Sequence, residues 1–148
     1  MDIEKILDQY ALSYKEENYP PVAGKILGLF FISNQKHFTF EEIMSSIKAS
    51  KSATSKAVKL LISSGEINFE FLEGNKRKRH FFLDIEGSVD HFKRLIEGIR
   101  MQTELYKETL KFRTDENEEL SQFIQNVINL NVELSVHAER LVQKHFLK

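Results

Sequence analysis

The stretch Phe38-Thr-Phe-Glu-Glu-Ile-Met-Ser-Ser-Ile-Lys-Ala-Ser-Lys-Ser-Ala-Thr-Ser-Lys-Ala-Val-Lys-Leu-Leu-Ile-Ser-Ser-Gly65 decides the fold class. It opens on a helix start signal. Thr39 followed three positions later by Glu42 forms a capping box, and Phe38 with Ile43 hold the N′ and N4 positions of a hydrophobic staple. A helix therefore begins at Phe40, with Ile43, Met44 and Ile47 on its apolar face. The run Lys48-Ala-Ser-Lys-Ser52 breaks the pattern and marks a short turn. Ser50 caps a second helix in which Ala53, Ala57, Val58, Leu61 and Ile62 face inward, and Gly65 ends it as a C-cap.

Beyond Gly65 the period changes from helical to alternating: Ile67, Phe69 and Phe71 fall on one side of a strand, Asn68, Glu70 and Leu72 on the other. Glu73-Gly-Asn75 supplies turn chemistry, Arg79-His-Phe-Phe-Leu83 reads as the returning strand, and Lys76, Arg77 and Lys78 project between them. Helix, tight turn, helix and a hairpin with a cationic tip is the plan of a winged helix-turn-helix.

Upstream, Ile3, Ile6, Leu7, Tyr10, Ala11 and Tyr14 recur at three- and four-residue spacings, an amphipathic helix ended by Pro20 and Pro21. Pro21 then occupies the first turn of a helix running to Ile32, apolar around most of its circumference and so buried. Gly24 and Gly28 at i, i+4 let another helix approach it closely. Downstream, Val89, Phe92, Ile96, Ile99, Thr103, Tyr106 and Leu110 form a heptad seam on a long helix. Thr114 and Asp115 interrupt it, and Asp115 with Glu118 offers a capping box for a second long helix with the seam Leu120, Phe123, Val127, Leu130, Leu134, His137 and Leu141. Ile124, Ile128 and Val136 widen that stripe beyond what one partner helix needs, which favours oligomerisation.

The chain is therefore expected to be mainly α with a small β-hairpin wing: an N-terminal dimerisation helix over 1–20, a winged helix-turn-helix domain over 21–85, and a C-terminal helical dimerisation region over 86–148. Its 148 residues suit one core of ordinary size, and with no Cys there is neither a disulfide framework nor a thiolate metal site. The start Met-Asp-Ile-Glu-Lys lacks a signal-peptide pattern, and the longest apolar stretch, Val22 to Ile32, carries Lys25 and is too short to span a membrane. A cytoplasmic protein without membrane contact is expected.

Charge is segregated. Ile43 to Leu83 holds eight basic residues against three acidic ones, a balance of +5, while the rest of the chain carries -6. From Ile43 to Gly65 there is no acidic residue at all, whereas an ordinary solvated helix mixes both signs for i, i+4 pairing. A basic middle in an acidic chain points to a local polyanionic partner. Lys48, Lys51, Ser52, Thr54, Ser55, Lys56 and Lys59 have the short polar or cationic character that a recognition helix presents to a major groove. Four consecutive cations, Lys76, Arg77, Lys78 and Arg79, repel one another unless a phosphate backbone or minor groove relieves them. Double-stranded DNA is the expected partner.

The same residues resemble those of MarR-type winged-helix transcriptional regulators, most closely the GbsR-like branch named for the glycine-betaine synthesis repressor. The matching stretches are Tyr19-Pro-Pro-Val-Ala-Gly-Lys-Ile-Leu-Gly-Leu29, Phe38-Thr-Phe-Glu-Glu-Ile43, Ala49 to Leu61 with Gly65, and the basic wing. Two positions depart from the pattern: Lys48 stands where Gly is frequent in the turn, and Glu66 where an apolar residue is common. The resemblance implies a homodimer joined through its terminal helices, binding a pseudo-palindromic operator as a regulator, typically a ligand-responsive repressor, without enzymatic activity. On that reading Ile3, Ile6, Tyr10, Phe92, Ile96, Ile99, Tyr106, Phe123, Val127, Leu130, Leu134 and Leu141 form the dimer seam.

A small-molecule effector would find aromatic candidates in Tyr10, Tyr14, Phe30, Phe31, Phe92 and Tyr106, side chains that equally serve as helix-packing core. No cofactor is called for. Glu133 and His137 at i, i+4 are two groups of the kind that bind metal, but a lone pair makes no site, and no nucleophile, base and orienting group fall into a catalytic pattern. The alternative is a winged-helix module that binds another protein; the paired basic helix and basic wing argue for DNA instead.

Overall fold

The computed structural model describes residues 2–147. In chain order they form α1 (Ile3–Lys15), α2 (Pro21–Ile32), α3 (Phe40–Ile47), α4 (Lys51–Ser63), β1 (Ile67–Leu72), β2 (Asn75–Leu83), α5 (Ile85–Leu110), a 3-10 turn (Asp115–Asn117) and α6 (Glu118–Phe146). Two compact units result, one up to Ser88 and one from Val89. Among the described residues no helix is long and apolar enough to cross a membrane.

In the first unit the local signals act as expected. The Thr39 hydroxyl accepts from the Glu42 amide at 3.2 Å, the Glu42 carboxylate accepts from the Thr39 amide at 3.0 Å, and both staple residues, Phe38 and Ile43, are buried. Ser50 Oγ accepts from the Ala53 amide at 3.2 Å, starting α4. Pro21 opens α2, whose residues Ile26 and Leu27 are fully buried with Ile43 and Leu61. A Cβ on Gly24 would lie 2.7 Å from the Tyr10 carbonyl oxygen, so this glycine is what allows α1 to lie against α2.

Lys48 ends α3 in the left-handed region at φ 53°, a conformation glycine adopts without cost. This is where the sequence departs from the resembling pattern, and the backbone keeps the glycine-type turn despite the lysine.

The hairpin is antiparallel, with Ile67 opposite Leu83, Phe69 opposite Phe81 and Glu70 opposite His80. A third backbone segment joins it at one point: Phe38 and Phe81 exchange N–H···O bonds of 2.9 and 2.7 Å. The distal half differs from the expected one. β2 starts at Asn75, and the register jumps from Glu70/His80 to Leu72/Asn75, so residues 76–79 bulge opposite the single residue Phe71. The cations thus lie along a bulged strand rather than in a loop between strands.

Glu66, the other departure, is 7% exposed and accepts hydrogen bonds from the Tyr19 hydroxyl and, at 2.8 Å, from Ser64 Oγ. Burial, then the Glu66 hydrogen bond, hold the Tyr19 phenol well above its usual range; burial followed by the Glu66 charge raises Tyr14. This buried carboxylate ties the α1–α2 connection to the start of β1. Its own carbonyl accepts from the Asp84 amide at 2.9 Å, and Asp84 Oδ1 accepts from Gly87 at 2.8 Å, which fixes the entry to α5.

In the second unit α5 and α6 run antiparallel: Phe92 meets Phe146, Arg100 pairs with Glu139, and Arg113 donates to Ser121. The buried positions of α5 are Val89, Ile96 and Thr103, and those of α6 are Ile124, Ile128 and Ser135. The α6 contact stripe is therefore displaced by one residue from the expected seam. Small residues such as Ser135 let the helices approach, and the more apolar stripe is left outside. The start of α6 is corrected too: Asn117 accepts from the Leu120 amide at 3.1 Å as N-cap, while Asp115 opens the 3-10 turn capped by Thr114.

Candidate nucleic-acid interface

The exposed face of α4 carries Lys51, Ser52, Lys56 and Lys59, with Ser55 half-buried beside them. Thr54 is not on that face. It is fully buried, one helical step before Ala57, Val58 and Leu61, and its hydroxyl donates to the Ser50 carbonyl at 2.8 Å. The expectation that it faces a groove is corrected: a small polar residue in the first turns suggests an outward position, whereas the helical phase turns it inward and an i−4 carbonyl satisfies it. Leu60, 37% exposed, shares the outward face, a position the lysine pattern concealed.

Lys48 is exposed but lies before α4, and its ammonium pairs with Glu4 of α1, the hydrogen bond that raises its pKa. The structure thus gives it a partner within the protein. On the wing all four cations are exposed. Lys78 Nζ lies 4.0 Å from Glu41 of α3, and the Arg79 guanidinium sits 4.6 Å from the centre of the Phe69 ring. Among the described residues, Lys51, Lys56, Lys59, Lys76 and Arg77 form no ion pair, leaving five uncompensated cations on α4 and the wing.

The expected dimer residues divide. Ile96 is buried, lining the α5–α6 groove with Val142, and is corrected from an intermolecular to an intramolecular contact. Phe92, Phe123, Leu130, Leu134 and Leu141 are exposed at 42–62%, as is Ile3 on α1 at 57%; Ile6, Tyr10, Ile99, Tyr106 and Val127 are half-buried. Leu95, Met101, Leu105 and Phe112, outside the expected seam, are exposed as well.

The aromatic ligand candidates are divided between the two units. Phe30 is 7% exposed and packs edge-on against Phe38 at 5.3 Å, which makes it core. Tyr10 stacks on Tyr14 at 6.4 Å and against Phe31 at 6.0 Å. Phe92 and Tyr106 lie on one helix, about 21 Å apart along its axis at 1.5 Å per residue. Phe92 contacts Phe146 instead.

No family model and no curated protein sequence matches the chain. Among solved structures, the crystal structure of a transcriptional regulator aligns over 100% of both chains with a TM-score of 0.77 at 18% identity, which shows a shared fold. The transcriptional regulator SlyA aligns at 0.42 and 18% identity over 94% of this chain and 93% of its own. Wild-type MarR from E. coli aligns at 0.45 and 14%, over 84% and 86%.

Proposed function

We propose that the protein is a MarR-type transcriptional regulator that binds double-stranded DNA as a homodimer, α4 in the major groove and the wing on the phosphate backbone or minor groove. The observation that carries this reading is the concentration of positive charge: five cations on α4 and the wing without an ion pair among the described residues, and no acidic residue between Ile43 and Gly65. Two copies place two recognition helices on a pseudo-palindromic operator. The exposed apolar stripe of α6 and the outer face of α1 supply the dimer contact, since patches of this extent on a helix pair are rarely left in water. The winged-helix fold shared with a transcriptional regulator supports the same assignment. Its resemblance to GbsR-like proteins adds repression, control by a small effector and a cytoplasmic setting.

The test is fluorescence anisotropy with duplex from upstream of the protein's own coding sequence against a scrambled duplex. Tighter binding of the upstream duplex at physiological salt is expected. Absence of binding to either at low salt would favour a winged helix that recognises protein.

A further inference from the structure

We propose that Phe71 is an apolar wedge that enters the minor groove and deforms the duplex, an inference that rests on the DNA-binding reading above. A single exposed apolar side chain is ordinary on a protein surface. This one is set apart by what surrounds it. The ring is 53% exposed, and the register jump brings the segment Lys76 to Arg79 opposite it. Four cations lie on the strand opposite it, of which Lys76 and Arg77 have no carboxylate partner among the described residues, while Glu73 sits in the turn beyond. The nearest acidic side chain on the same strand, Glu70, is engaged by His37. An apolar partner protein or a second copy of this chain would have to accept that uncompensated charge; a polyanion is drawn by it.

The ring is also braced. Phe71 meets Phe69 edge-on at 5.9 Å, Phe69 meets Phe81 at 5.9 Å, and Phe81 is 3% exposed in the core. The Arg79 guanidinium lies over the face of Phe69, 4.6 Å from the ring centre. A row of three rings thus runs from the core to an outer ring that is fixed at its base and wet at its edge. Minor-groove binders combine cations that read the narrow groove with an apolar side chain pressed between base steps, unstacking them and bending the duplex. The wing holds both components.

The chain has no Trp, so Phe71→Trp introduces the sole indole and reports on this position alone. The probe is the upstream duplex at low salt, with binding followed independently by anisotropy of labelled DNA. On saturation the indole emission is expected to be quenched and its access to acrylamide lost. Phe71→Ala is expected to bind about tenfold more weakly, the size of one lost aromatic–base contact, with the salt dependence unchanged because no charge is removed. Energy transfer between dyes on the duplex ends should show less bending with Phe71→Ala than with the unaltered protein. Saturation of the duplex with unchanged emission and acrylamide access would overturn the wedge while leaving DNA binding intact. Loss of acrylamide access on raising protein concentration without DNA would place the ring between copies and overturn it too. Failure of the unaltered protein to bind any duplex would remove the DNA reading and the wedge together.

Discussion

Gly24→Ala should loosen the first unit although alanine is the better helix former. An added Cβ would meet the Tyr10 carbonyl oxygen at 2.7 Å and Ala11 Cα at 2.9 Å, where ordinary contact begins at 3.4 Å. Both are backbone atoms, so no rotamer change relieves the clash and α1 must retreat by about 0.7 Å. That retreat opens the packing of Leu7 and Ala11, which are 3% and 8% exposed. Overpacking of this kind costs about 1–3 kcal/mol, and the helix-propensity gain of alanine offsets about 1, leaving a net loss of up to about 2 kcal/mol. Gly28 is the control. Its Cβ would meet Tyr10 Cδ2, Cγ and Cβ at 2.7, 2.8 and 3.1 Å, side-chain atoms that yield more readily than backbone, so Gly28→Ala should lose less than Gly24→Ala. Urea unfolding by circular dichroism at fixed protein concentration reads both, with a midpoint lower by up to about 1 M expected for Gly24→Ala. A midpoint equal to or above that of the unaltered protein, or a larger loss at Gly28, would refute the close-approach argument.

Lys48→Gly should raise the melting temperature by about 2–4 °C, because it relieves a left-handed backbone at φ 53° while giving up only an exposed pair with Glu4; calorimetry reads the shift. The Glu42 carboxyl is held below its ordinary value of 4.5, first by the Thr39 amide and then by Gln35. Its contribution to stability is therefore present above pH 4.5 and lost as the pH falls through the lower folded value. Glu42→Gln should flatten that acid limb, and an unchanged limb in urea midpoints against pH would contradict the capping-box assignment. Leu130→Glu with Leu134→Glu, at two exposed positions of the α6 stripe, should convert a dimer to a monomer by sedimentation at micromolar concentration with helix content retained. A dimer that survives both changes would move the interface elsewhere.

Local signals proved the most legible part of the sequence. The Thr39/Glu42 box, the Phe38/Ile43 staple, the Ser50 cap and Pro21 each concern atoms within one helical turn, and each is found where the spacing puts it. Long-range pairing was less so. The α6 stripe lies one residue off because the richer apolar seam, Phe123 to Leu141, is what stands out in a sequence, whereas the positions buried against α5 are Ile124, Ile128 and the small Ser135. Thr54 misled for a related reason: its chemistry is polar, but its phase on α4 is that of Ala57 and Leu61. The bulge at residues 76–79 has no sequence signal of its own, since four cations read equally well as loop or strand. Glu66 was visible only as an odd residue, and its partners Tyr19 and Ser64 emerge once the α1–α2 connection and β1 are brought together.

Contact between phosphate and the cations of α4 and the wing that are unpaired among the described residues is read by the salt dependence of DNA binding. Five such cations per chain make about ten per dimer, so log affinity for the upstream duplex should fall against log salt with a slope of about −9. Lys51→Ala, Lys56→Ala and Lys59→Ala together remove six of these per dimer and should bring the slope to about −4. Loss of affinity with that change of slope is the predicted result; a triple variant that binds the duplex with the original affinity and slope would contradict the account.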